Sequence, residues 1–167
     1  MTADASDARD VADLIALTVT NVESVLSGLA NLSTELARAP FFIRSLVEKE
    51  VSGATDLSFA EWSALFADLA GRLGALRDAV ARLENGTAAD GSPARAAEFP
   101  DLVESIVALQ DFLRKTPGKL NMVPPLLMGA RERAEFVANV ENQVSCLGVV
   151  VSALPQLALG ATRLGLA

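Results

Sequence analysis

Histidine and tyrosine are absent from this 167-residue chain, and with them goes much of the usual catalytic chemistry. Histidine is the commonest general base near neutral pH and the commonest transition-metal ligand. Helical bundles that hold paired metal ions rely on inward-facing carboxylates and Glu-x-x-His pairs. Here Glu23, Glu104 and Asp111 fall off the apolar seams and have no imidazole to join them. Cysteine is limited to Cys146, which excludes an intrachain disulfide or a paired-cysteine metal site. Its place on an apolar helix face predicts a buried, unreactive thiol in a reducing compartment. Seven Phe and one Trp are the only aromatics, so the core has to be built from Leu, Val and Ala, a composition that suits helix packing better than a sheet. Basic residues are outnumbered 14 to 21, leaving a net charge of -7. Phosphate affinity comes chiefly from clustered Lys and Arg, so nucleic-acid binding is not expected.

Other signatures are missing as well. No Gly-rich loop follows a strand pattern, and neither Ser24 nor Ser145 has an evident base partner. The expectation is a protein without catalytic, cofactor or metal residues. The opening Met-Thr-Ala-Asp-Ala-Ser-Asp is acidic and lacks the basic and apolar regions of a signal peptide. A cytoplasmic location is expected.

What the chain does have is an unbroken alternation of apolar residues at spacings of three and four. The first run is Val11, Ile15, Thr18, Val22, Val25, Leu29, Leu32 and Leu36; the second is Phe59, Trp62, Phe66, Leu69, Leu73, Leu76, Val80 and Leu83; the third is Val137, Val140, Val144, Leu147, Val151 and Leu154. Such seams pack long helices lengthwise. The fold class predicted is all-α: an antiparallel up-down-up-down four-helix bundle in one domain, 1–167. Its principal helices span Ser6 to Ala39, Ser58 to Glu84, Asp101 to Lys115 and Pro125 to Leu154. A shorter helix follows Pro40, from Phe41 to Val51, and is ended by Ser52-Gly53.

Local signals set these limits. Ser58 and Glu61 have capping-box spacing before an apolar run, Thr116-Pro117-Gly118 closes the third principal helix, and Pro155 stops or kinks the last helix. Residues 86–98, rich in Ala, Gly, Ser and Pro, read as a mobile loop open to proteolysis. Residues 156–167 read as a weakly structured apolar tail. Thr18, the one polar residue of the first seam, is expected to bond back to its own helix. The apolar run Val144 to Ala161 approaches the ~20 residues of a membrane span. Pro155 and the continuing seam favour a buried core helix instead.

Topology points to a candidate functional end. In an up-down bundle the Phe41 to Val51 helix and the connection Lys119 to Met128 fall at the same end. Two apolar connections therefore meet among Arg38, Arg44, Lys49, Arg114, Lys115, Lys119, Arg131 and Arg133, while acidic residues such as Asp7, Asp10 and Asp13 gather at the opposite end. Phe41, Phe42, Arg44, Lys119, Met122, Val123 and Leu126 are the candidate contact residues. Their chemistry suits a protein partner, a second copy of the chain, or the surface of an anionic membrane or lipid particle. Helix-dipole complementarity accounts for part of the charge asymmetry, and the same two connections also suit a structural plug. A mean hydropathy of +0.35 favours an interacting surface. The alternative is a carrier that holds a small apolar ligand between helices, lined by Trp62, Phe66, Phe112, Met128 and Phe136.

Overall fold

The computed structural model describes residues 2–86, 99–120 and 128–166. They form five helices: α1 (Thr2–Arg38), α2 (Phe41–Thr55), α3 (Phe59–Glu84), α4 (Pro100–Leu120) and α5 (Ala130–Arg163). No strand occurs among the described residues, so the all-helical class read from the seams holds. Of the loop expected over 86–98, residues 87–98 lie outside the described residues. Helix α1 runs along both α3 and α5, α5 also runs along α4, and α2 packs on α4 with lighter contact to α1 and α3. The α1 and α5 helices are antiparallel: Val11 meets Gly160 near one end, and Gly28 meets Gln143 further along.

The core follows the seams closely in α1 and α3. Val11, Ile15, Thr18, Val22 and Val25 are buried on α1, and Trp62, Phe66, Leu69, Leu73, Leu76 and Val80 on α3. Each such apolar side chain contributes roughly 1.5 to 3 kcal/mol relative to exposure. The Thr18 hydroxyl donates to the Leu14 carbonyl at 2.6 Å, so its burial leaves nothing unsatisfied. On α5 the buried stripe is rotated from the predicted one: Val140, Leu147 and Leu154 are shared, while Cys146, Val150, Leu157 and Ala161 replace Val137, Val144 and Val151 as the innermost residues. Cys146 is buried, as expected, and its thiol donates to Ser24 Oγ at 3.5 Å. Phe99, just before α4, is also buried, and its carbonyl accepts the Val103 N–H.

Helix limits depart from expectation where Gly and Pro were read as stops. Helix α2 continues through Ser52-Gly53 to Thr55, because Val51 and Thr55 bury one face and Asp56 supplies the left-handed residue (φ 59°) that ends it. Helix α4 runs through Pro117 to Leu120. A proline inside a helix forfeits one backbone hydrogen bond. Here the following turn is tied down by Lys119, whose ammonium meets Glu50 of α2 at 2.7 Å.

Helix α5 begins at Ala130 rather than Pro125, with Gly129 as N-cap and the Glu132 carboxylate accepting the Gly129 N–H at 3.4 Å. It then passes Pro155 and continues to Arg163, so residues 156–163 are helix and not a weakly structured tail. Burial of Leu157 and Ala161 offsets the bond lost at Pro155. The end is a Schellman closure: Gly165 is left-handed (φ 69°), the Leu166 N–H bonds to the Ala161 carbonyl, and the Gly165 N–H bonds to that of Thr162. Leu166 is buried beneath it. Helices α1 and α5 are each long and apolar enough to cross a membrane by length and composition.

Candidate interaction surface

Proline shapes the corner that presents α2. Pro40 has no N–H to continue α1, which ends at Arg38, yet its carbonyl accepts the Ile43 and Arg44 N–H groups and so opens α2. Val51 and Thr55 fix one face of α2 inward. At the far end of α2 a hydroxyl knot locks the turn into α3. Thr55 Oγ1 accepts the Trp62 indole N–H at 2.9 Å and lies 2.8 Å from the Val51 carbonyl, to which it donates. Trp62 stacks on Phe66 with ring centroids 5.8 Å apart. The next turn carries the predicted capping box: Ser58 N–H donates to Glu61 Oε2 at 2.7 Å, and Glu61 N–H to Ser58 Oγ at 3.2 Å.

With its inner face pinned, α2 turns apolar residues outward. Phe41 is 75% exposed, Phe42 68% and Leu46 59%. Phe42, Leu46 and Lys49 have the spacing i, i+4, i+7 and share one exposed stripe. The Arg44 guanidinium lies over the Phe41 ring, 5.8 Å from its centroid. Phe41 and Phe42 are therefore surface residues, unlike the buried pair a plug requires. Met122, Val123 and Leu126 lie outside the described residues.

The cations gathered at this end are largely engaged. Lys119 pairs with Glu50 and sits 5.5 Å from the Phe112 ring centroid. Its hydrogen bond and charge hold the Glu50 carboxyl below the usual glutamate range. Arg38 pairs with Glu35, Arg114 with Asp111 and Arg131 with Glu135, all on exposed surface, where such pairs contribute little to stability. Lys119 thus links α4 to α2 more than it presents charge outward, and Lys49 is the cation that shares the exposed stripe with Phe42 and Leu46.

Among the described residues, neither open depression brings together the residues considered for an apolar ligand. Trp62 and Phe66 are fully buried in the core, Phe112 lies half-buried beneath Lys119, and Phe136 is half-buried on α5. Met128 lines a shallow open depression of about 500 Å³ along the start of α5, with Arg133, Ala134 and Val137. A second open groove, of about 490 Å³, runs between the start of α1 and the end of α5. Sequence reasoning missed it, although Leu17 and Leu159 lie outside the apolar seams, the pattern expected of an exposed apolar residue.

No protein-family description, curated protein or solved structure matches this chain.

Proposed function

We propose that this is a non-enzymatic interaction protein, an up-down-up-down helical bundle that contacts a protein surface through the apolar, basic end formed around α2. The observation that carries this reading is the exposed stripe of α2, where Phe42 and Leu46 stand in water beside Lys49, with Phe41 and Arg44 at its edge. Large apolar side chains grouped on a rigid helix are the usual centre of a protein contact, and flanking cations steer an acidic partner toward them. The hydropathy of α5 agrees: its most apolar stretch is only 33% buried within the chain. The absence of histidine and the lone buried thiol fit a binding role in the reducing cytoplasm.

The test is to replace Phe42 and Leu46 by Ser, and separately Arg44 and Lys49 by Glu. Binding is then followed by sedimentation of the protein alone and by pelleting with phosphatidylserine vesicles. Loss of association in both variants, with thermal unfolding unchanged, supports the reading. Self-association and vesicle binding that are both indifferent to both variants overturn it.

A further inference from the structure

The groove between α1 and α5 has the chemistry that complements the α2 stripe. Its floor is apolar, with Leu17 51% and Leu159 54% exposed, unusually open for leucines. Asp7, Asp10 and Asp13 stand along the α1 side, and Arg163 is the one cation among the lining residues. None of the three aspartates has an ion pair among the described residues. Glycine makes the groove possible: a Val11 methyl lies 2.5 Å from where a Cβ on Gly160 would sit, so α1 and α5 approach closely beneath the larger, exposed Leu17 and Leu159 that line the groove.

The stripe and the groove lie at opposite ends of α1. From Leu17 to Arg38 the helix rises about 30 Å, and α2 begins beyond that point. One chain therefore cannot seat its own stripe in its own groove.

We propose that the occupant of the groove is α2 of a second copy, with Phe42 and Leu46 lying on Leu17 and Leu159, and Lys49 reaching the aspartate side. The contact is the helix-in-groove kind, in which anchors at i, i+4 and i+7 enter an apolar channel, and it joins unlike ends of two molecules. It rests on the reading of α2 as a contact surface and names its partner.

Complementation tests it in the full-length chain. One variant loses the stripe (Phe42→Ser with Leu46→Ser) and the other loses the groove (Leu17→Asp with Leu159→Asp). All four positions are exposed, and circular dichroism checks that each variant stays helical. Analytical ultracentrifugation should show wild-type protein self-associating, each variant alone at least about tenfold weaker, and an equimolar mixture regaining a one-to-one complex. That regain is diagnostic because each variant keeps the half that the other lacks. A further arm, Asp10→Lys with Asp13→Lys, should weaken self-association and be rescued by mixing with Lys49→Glu.

A wild type that stays monomeric to about 0.5 mM, or variants that fail to complement one another, overturns the proposal. Should that failure come with phosphatidylserine-vesicle binding that depends on Phe42 and Leu46, the α2 end remains a contact surface and only the self-contact falls. If vesicle binding is indifferent as well, both readings fall.

Discussion

Helix α3 and helix α5 meet the rest of the molecule by different means. From Trp62 to Val80, α3 buries six apolar side chains in one stripe, and the only polar atom among them, the Trp62 indole N–H, is satisfied by Thr55. Helix α5 also buries an apolar stripe, but to it adds glutamine and glycine contacts with its two neighbours. Gln143 Nε2 donates to the Ser24 carbonyl of α1 at 3.2 Å, and Gln110 Nε2 of α4 donates to the Val144 carbonyl of α5 at 3.1 Å. In both places the residue four positions beyond the accepting carbonyl is a glycine, Gly28 in one helix and Gly148 in the other. The N–H of residue i+4 is the one that bonds the carbonyl of residue i in an α-helix. A side chain there would flank that carbonyl, and glycine leaves its second lone pair open to the visiting amide. The α3 seam is cohesive through area; the α5 seams also fix register, because an amide reaches one carbonyl and not the next.

The largest effects belong on α3. Leu69→Ala or Leu73→Ala should each destabilise by roughly 2 to 5 kcal/mol in chemical denaturation, through lost transfer energy and the cavity left behind. Equally large losses from truncating exposed residues such as Leu83 would place the centre of cohesion elsewhere.

Next comes the corner between α2 and α3. Thr55→Val keeps the shape but strands the buried Trp62 N–H, at a cost of about 1 to 3 kcal/mol. In a Trp62→Phe background that N–H is gone, so the same change should cost distinctly less. A double-mutant cycle measures the difference, and two equal costs would mean that Thr55 acts through packing alone.

Glycine substitutions separate the two ways of joining α1 to α5. At Gly160 a new Cβ would meet a methyl of the stiff, β-branched Val11, and Gly160→Ala should cost about 1 to 3 kcal/mol by overpacking. At Gly28 it would meet the Gln143 amide, the far end of a flexible side chain. Swinging that amide away loses a bond of about 1 kcal/mol, while alanine returns about 1 kcal/mol of helix propensity. Gly28→Ala should therefore lie within about 1 kcal/mol of wild type. A large loss at Gly28 would show that the amide cannot move, and that the clasp is stiffer than its chemistry implies.

The contrast also explains what was legible in the sequence. A three-four alternation reports where area is buried, so α1 and α3 and the Ser58–Glu61 capping box were readable directly. The clasps were not, because Gln110 and Gln143 register as polar, surface-type residues and a glycine inside a helical run registers as a weakness. Their meaning depends on which carbonyl lies opposite, information that exists only between helices. The prolines failed for a related reason: Pro117 and Pro155 each remove one bond, but the burial and tethering beyond them are tertiary. Gly165 followed by the apolar Leu166 was a usable local signal for the end of α5. At the candidate site, the sequence left Phe41 and Phe42 open between a buried plug and an exposed contact, and only their exposure in the fold decides it. The pairing of Lys119 with Glu50, and the groove at the far end of α1, required knowing how the helices lie.

The smallest effect concerns pH, and it separates exposed caps from the core. Bonds from the Ser58 backbone and hydroxyl hold the Glu61 carboxyl below the ordinary glutamate range, as Lys119 does for Glu50. A carboxyl whose folded pKa is depressed contributes stability that is present above its unfolded pKa and is lost as pH falls through the folded one. Glu61→Gln keeps an acceptor at the third helical position, which a capping box tolerates, but removes the titrating group. Wild type and Glu61→Gln should thus differ near neutral pH and converge as the pH falls below the glutamate range, in denaturation midpoints measured across that interval. Glu50→Gln should behave alike and, because its partner is a cation rather than a backbone amide, its difference from wild type should also shrink with added salt, whereas that of Glu61→Gln should shrink less. A gap that stays constant with pH would assign the change to helix propensity or packing. Leu69→Ala should show just such a constant gap, since no charge is involved at that position.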